Sequence, residues 1–266
     1  MELFDTHAHL DFSRYSDDRE EVIERAVEAG VVHILNAGAD LASSRRGLGL
    51  ARDYEGITAS VGVHPHEASS YDLDAARQLH DMAEGENVAA IGETGLDYHY
   101  DNSPHPDQRQ AFRSQLRLAR ELEMPVIIHS REAESDTIDI LSAEYEPSQG
   151  AVVHCYSSGA GMARELVEEG LCLGFTGLLT FGGLDWLRDI AAEVPLEQTL
   201  IETDSPYMSP EPERGGRNEP ARVKHVADQL AEIHGIEPES AAEITAKNGR
   251  ELFGLTSENN LKSLTG

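Results

Sequence analysis

Short apolar runs alternate with amphipathic stretches along nearly the whole chain. Leu3 and Phe4 open a buried run that carries two imidazoles and ends at Leu10. Further runs of strand length lie at residues 31–37, 56–63, 87–93, 124–129, 151–155, 171–176 and 199–203. Between them the apolar positions recur every three to four residues, the period of a helix with one buried face. Helices are therefore expected at residues 17–29, 40–54, 72–84, 106–121, 132–145, 161–169 and 184–192. Two more, at 219–234 and 239–253, close the chain. Asp17 and Asp18 with Gly30 mark the start and stop of the first helix, and Pro220 sits in the first turn of the penultimate one.

Eight strands alternating with helices, with no linker rich in Pro, Gly or Ser, predict an α/β fold: one (β/α)8 TIM barrel. Residues 1–254 form that domain, and residues 255–266 are a polar tail expected to fray. No shorter internal repeat interrupts the alternation.

In such barrels the C-terminal ends of the strands carry the chemistry. The first strand places His7 and His9 there, one pleat apart on one face. The third brings His64 and His66, the fourth Glu93 with Asp97 beyond it, the fifth His129, the sixth His154, and the eighth Glu202 and Asp204. Four imidazoles, His7, His9, His129 and His154, with the carboxylates Glu93 and Asp204 suit two divalent ions if one carboxylate bridges them. Glu93 lies on the middle strand between the two histidine groups and is the expected bridge. His7, His9 and Asp204 then hold one ion, and His129 and His154 the other. The donor set accommodates Mg, Mn or Zn.

His33, His80, His99, His105, His225 and His234 lack ligand spacing and read as structural or surface residues. Asp97 and Tyr98 could equally shape the fourth loop or serve the site. Strand alternation points Cys155 away from His154, into the helix layer. Trp186 by itself is not expected to form a stacking platform.

The 21 basic residues face 49 acidic ones, for a formal net charge of −28, so no general basic surface is available for nucleic acid. Such an acid excess predicts high solubility and adaptation to concentrated salt. The two cysteines, Cys155 and Cys172, match neither a redox pair nor a zinc ribbon and are expected to be free thiols in a reducing compartment. A chain that runs straight into its first strand, without an apolar segment of spanning length, is expected to be cytoplasmic with no membrane association. Nothing in the sequence points to an oligomeric state.

Seven stretches occur in order: Asp5-Thr6-His7-Ala8-His9-Leu10-Asp11, Gly62-Val63-His64-Pro65-His66, Ile91 to Tyr98, Pro125 to Ala133, His154 to Gly159, Gly174 to Gly177 with Thr180-Phe181, and Glu202 to Tyr207 with Arg214, Asn218, Glu219 and Pro220. Together they make the sequence resemble the TatD family of metal-dependent deoxyribonucleases. Two departures are Tyr156, where many members have Phe, and an extra Gly in the loop from Arg214 to Asn218. The resemblance implies an amidohydrolase-type barrel with His7, His9, Glu93, His129, His154 and Asp204 as ligands of two divalent ions. Many related barrels bridge their metals with a carbamylated lysine, but Lys224, Lys247 and Lys262 all lie off the strands.

The implied reaction is hydrolysis of DNA phosphodiesters, by exonucleolytic attack on single strands or frayed ends. Asp204 is then ligand and proton acceptor, and Glu202 orients a ligand histidine from behind. His64, Arg131, Arg214 and Arg217 are candidates to hold the phosphate. Hydrolysis of a small amide, ester or lactone on the same barrel is the alternative, as is a metal-binding protein without catalysis.

Overall fold

The computed structural model describes residues 1–256 and 260–262. Eight parallel strands form one sheet in sequential order. They are β1 (Leu3–Ala8), β2 (Val31–Asn36), β3 (Ile57–Val61), β4 (Val88–Asp97), β5 (Val126–Arg131), β6 (Ala151–Val153), β7 (Cys172–Phe175) and β8 (Thr199–Ile201). The intervening helices are α1 (Arg19–Glu28), α2 (Leu41–Asp53), α3 (Leu73–Ala83), α4 (His105–Glu121), α5 (Glu134–Glu144), α6 (Ala160–Glu168) and α7 (Asp185–Glu193). Two more, α8 (Val223–His234) and α9 (Pro238–Leu252), follow β8.

The sheet closes on itself past the ends of β1 and β8. Ala8 bridges Ser205, the amide of Asp204 donates to the His7 carbonyl at 2.9 Å, and that of His9 donates to the Ser205 carbonyl at 2.8 Å. The segments that carry His7, His9 and Asp204 are thus stitched together by backbone. Asp5, buried beneath them, reinforces the seam by accepting from the Thr203 hydroxyl and amide.

Local chemistry sets the helix ends. Asp40 and Asp72 cap α2 and α3 by accepting from backbone amides of the first turn. Gly235, at φ 64°, ends α8 in the left-handed conformation that glycine adopts without a Cβ clash. The main apolar core lies between strands and helices. A smaller cluster joins Phe4, Leu35, Ile127, Val152 and Leu200 to Ala246 and Phe253, so α9 seals one end of the barrel. The other end is left to the polar residues.

Of the boundaries that differ from expectation, three change what was expected of particular residues. β4 runs on to Asp97, carrying that carboxylate on a strand instead of a loop. A register break against β5 between Ile91 and Thr94 accommodates the extension, with Gly95 lying so close to His129 that a Cβ there would strike its carbonyl. β6 stops at Val153, and Cys155 takes φ 46°, so strand alternation no longer applies to it. Its thiol lies beside Thr176 and Met208 and borders a cavity at the rim, which corrects the expected burial in the helix layer. The tail is also not frayed throughout. Leu261 is buried in the core and its amide donates to the Val32 carbonyl, while residues 257–259 and 263–266 lie outside the described residues.

Candidate metal centre

The rim gathers its donors around the two oxygens of Glu93, which is buried. Glu93 Oε2 lies 3.3 Å from His7 Nε2 and 3.7 Å from His9 Nε2. These two nitrogens are 3.3 Å apart, and Asp204 Oδ1 is 3.9 Å from the first and 3.5 Å from the second. Glu93 Oε1 faces another group: His154 Nε2 at 2.8 Å, His129 Nδ1 at 3.0 Å and His64 Nε2 at 3.3 Å. One carboxylate therefore contacts both sets of imidazoles, each oxygen serving one set.

Hydrogen bonds made by the far side of each ring indicate what the near side offers. His9 Nδ1 lies 3.1 Å from the Ala37 carbonyl, which can only accept, so Nδ1 carries a proton and a neutral ring turns its Nε2 lone pair to the cluster. His129 Nε2 lies 3.1 Å from Asp97 Oδ2, which in a neutral ring leaves the Nδ1 lone pair toward Glu93 and His154. His64 is different. Its Nδ1 accepts from the His66 amide, so a neutral ring carries its proton on Nε2 and donates to Glu93. His64 is geometrically close enough to join a ligand group with Glu93 and His129, but this tautomer makes it a donor to the Glu93 carboxylate.

Electrostatics reflect the crowding. Burial would raise the Glu93 carboxyl, but His154, His64 and His129 around it hold it well below the usual range. Burial pushes His64 down to about 4, keeping it neutral. Burial also lowers His7, aided by neighbouring His154. In His9, His129 and His154 burial is outweighed by the carboxylates, and these rings are shifted upward.

The donor set fits divalent cations. Neutral His9 and His129 turn lone pairs toward carboxylate oxygens, and charging every ring would place several imidazolium groups within 4 Å of one another. Buried His7 Nδ1 and His154 Nδ1 have no hydrogen-bond partner. Behind these rings Glu202 accepts from the Cys155 amide and lies 3.5 Å from His154 Nδ1. His7, His154 and Glu202 form another possible ligand grouping, deeper in the barrel.

Asp97 had no role fixed from sequence, and the structure gives it a specific one. One of its oxygens takes His66 Nε2 at 2.9 Å as well as His129, and the other accepts from the amides of His99 and Tyr100. The missed signal is the length of β4, which brings Asp97 level with the end of β5.

The phosphate candidates separate. His64 and Arg131 border the cavity of about 440 Å³ that opens over the cluster. Arg131 lies over the Tyr100 ring at 4.8 Å and has no ion-pair partner among the described residues. Arg217 makes a bidentate pair with Asp18 and stacks on Tyr15, outside the cavity. Arg214 lies over Phe181 at 4.1 Å, near Glu211, and likewise does not border it. Both arginines thus contact neighbouring side chains away from this cavity.

Comparison with known proteins follows the same lines. The model of the family described as TatD related DNase matches residues 4–254. The chain is 41% identical over 251 residues to the uncharacterized metal-dependent hydrolase YabD of Bacillus subtilis, covering 94% of this chain and 98% of that one. It is 37% identical to the 3'-5' ssDNA/RNA exonuclease TatD of Cronobacter sakazakii, covering 94% and 97%. The crystal structure of YJJV, a TatD homolog from Escherichia coli, superposes with a TM-score of 0.90 at 31% identity, over 96% of this chain and 98% of that one.

Proposed function

This chain belongs to the TatD related DNase family, and from that premise we propose that its rim holds two divalent ions across Glu93 and hydrolyses phosphodiesters of single-stranded DNA from an end. That it is a metal-dependent hydrolase acting on ester bonds follows from its relatives. The finer reading rests above all on Glu93, whose oxygens face separate donor sets on the floor of an open cavity.

Bound ions would supply an activated water and the positive charge needed by an in-line displacement at phosphorus. His7, His9 and Asp204 would hold one ion and His129 and His154 the other, with Glu93 shared between them. Asp204 borders the cavity and is the carboxylate placed to accept the proton of the attacking water. Arg131, free of a carboxylate partner among the described residues, orients a phosphate oxygen at the mouth. His64 donates to Glu93 and keeps the bridge charged and aligned.

The test is nucleotide release from a single-stranded oligonucleotide with Mg, Mn or Zn supplied, beside a carboxyl ester, a lactone and an amide. Metal-dependent release of mononucleotides, lost in Asp204→Asn at unchanged melting temperature, supports the reading. Faster turnover of the lactone or amide than of DNA would replace it with a small-molecule hydrolase.

A further inference from the structure

Trp186 is the single tryptophan of the chain. It stands in the first turn of α7 with 44% of its surface exposed, although a ring of that size is ordinarily covered. Around it lies a second cavity, of about 330 Å³, walled on one side by Leu178, Leu184 and Met208. Its other side is the metal rim itself. His129, Arg131, His154, Asp204 and Met208 border both this cavity and the larger one, so the two form adjoining lobes over the rim.

We propose that the Trp186 lobe is a nucleobase subsite, where a base next to the scissile phosphate stacks on the indole while Arg131, between the lobes, holds the phosphate. The inference rests on the nuclease reading above and adds the part of the substrate that the metal ligands do not touch. A base presents a flat apolar face with polar edges. The lobe offers an exposed ring and aliphatic walls for the face, and the exposed hydroxyl of Ser157 for an edge. Position selects the occupant: any group entering this lobe while its neighbour sits over Asp204 and His154 is attached to the reacting centre.

The need for such a subsite is greater in this protein than in most. With a net charge of −28, long-range attraction cannot hold a polyanion, so affinity must come from short-range contacts. Aromatic stacking is the short-range contact that survives salt and tolerates any base.

A lone tryptophan also supplies its own probe. Titrating the Mg-loaded protein with dAMP is expected to quench indole fluorescence saturably, whereas inorganic phosphate and deoxyribose 5-phosphate leave it unchanged. Trp186→Ala is expected to raise KM for a single-stranded oligonucleotide roughly 5- to 100-fold with kcat nearly unchanged, the range of lost base stacking. Trp186→Phe should retain most of the affinity. An oligonucleotide with an abasic terminal unit should be a poor substrate for the parent and no worse than intact DNA for Trp186→Ala. Equal quenching by phosphate alone, or an unchanged preference for intact over abasic DNA in Trp186→Ala, overturns the subsite. Failure to cleave any DNA would remove the nuclease reading, and the dAMP titration would still decide the subsite.

Discussion

Replacing Asp97 by Asn would leave shape and volume almost unchanged yet should loosen the second metal position. One carboxylate oxygen receives ring nitrogens of His66 and His129 at 2.9 and 3.1 Å, the other the amides of His99 and Tyr100 at 3.0 and 2.9 Å. All four are donors if both rings carry their proton on Nε2. An amide has one acceptor end, so either orientation turns its NH2 group against two donors. Two hydrogen bonds to a charged acceptor are lost, each worth about 1.5–3 kcal/mol where no relaxation occurs. Because β4 can shift and water can enter, only part of this reaches His129. Outer partners of ligand histidines typically contribute about 10- to 100-fold in metal affinity, or roughly 1.4–2.7 kcal/mol. Calorimetric titration with Mn or Zn measures it, with a melting curve to show that the barrel persists. A weaker site falling within that range is expected; affinities within twofold of the parent at both positions would refute the orienting role.

Two further expectations concern charge. Glu144 accepts a bidentate pair from Arg117 and a longer contact from Arg113, and the Arg117 hydrogen bonds hold its carboxyl below the ordinary value of 4.5. A depressed folded pKa stabilises above the unfolded value and is lost as pH falls through the folded one. Glu144→Gln should therefore cost about 1 kcal/mol at pH 7, discounted for the exposed arginines, with the difference vanishing in acid below that window; a pH-independent deficit in chemical denaturation would contradict it. The acid excess predicts that stability and DNA cleavage rise as KCl goes from about 0.1 to about 1 M, where the screening length falls from roughly 10 to roughly 3 Å. A peak of both at the dilute end would show that self-repulsion and repulsion of DNA are unimportant.

The barrel was legible because each strand is a short apolar run bounded by a helix of different period, a pattern that needs no long-range information. Gathering the histidines and carboxylates at one end then required only the rule that strands of a barrel run parallel. What escaped depends on contacts between distant residues or on breaks in regular geometry. Arg217 looked free in sequence, but its partner Asp18 is 199 positions away. Cys155 was assigned a face by alternation, and its left-handed backbone makes that assignment void. Asp97 became a strand residue because β4 continues through a register break that no periodicity announces. Trp186, an isolated aromatic in the sequence, gains meaning only from the rim residues that share its cavity. Leu261 lies in a polar tail, and its burial depends on the distant backbone of Val32.

Everything in the catalytic reading passes through Glu93, and the most direct measurement is the anomalous scattering of crystals soaked in Mn or Zn. The account predicts two peaks roughly 3.5–4 Å apart on either side of that carboxylate. One should be held by His7, His9 and Asp204, the other by His129 and His154. A single peak, or peaks whose ligands exclude Glu93, would contradict it.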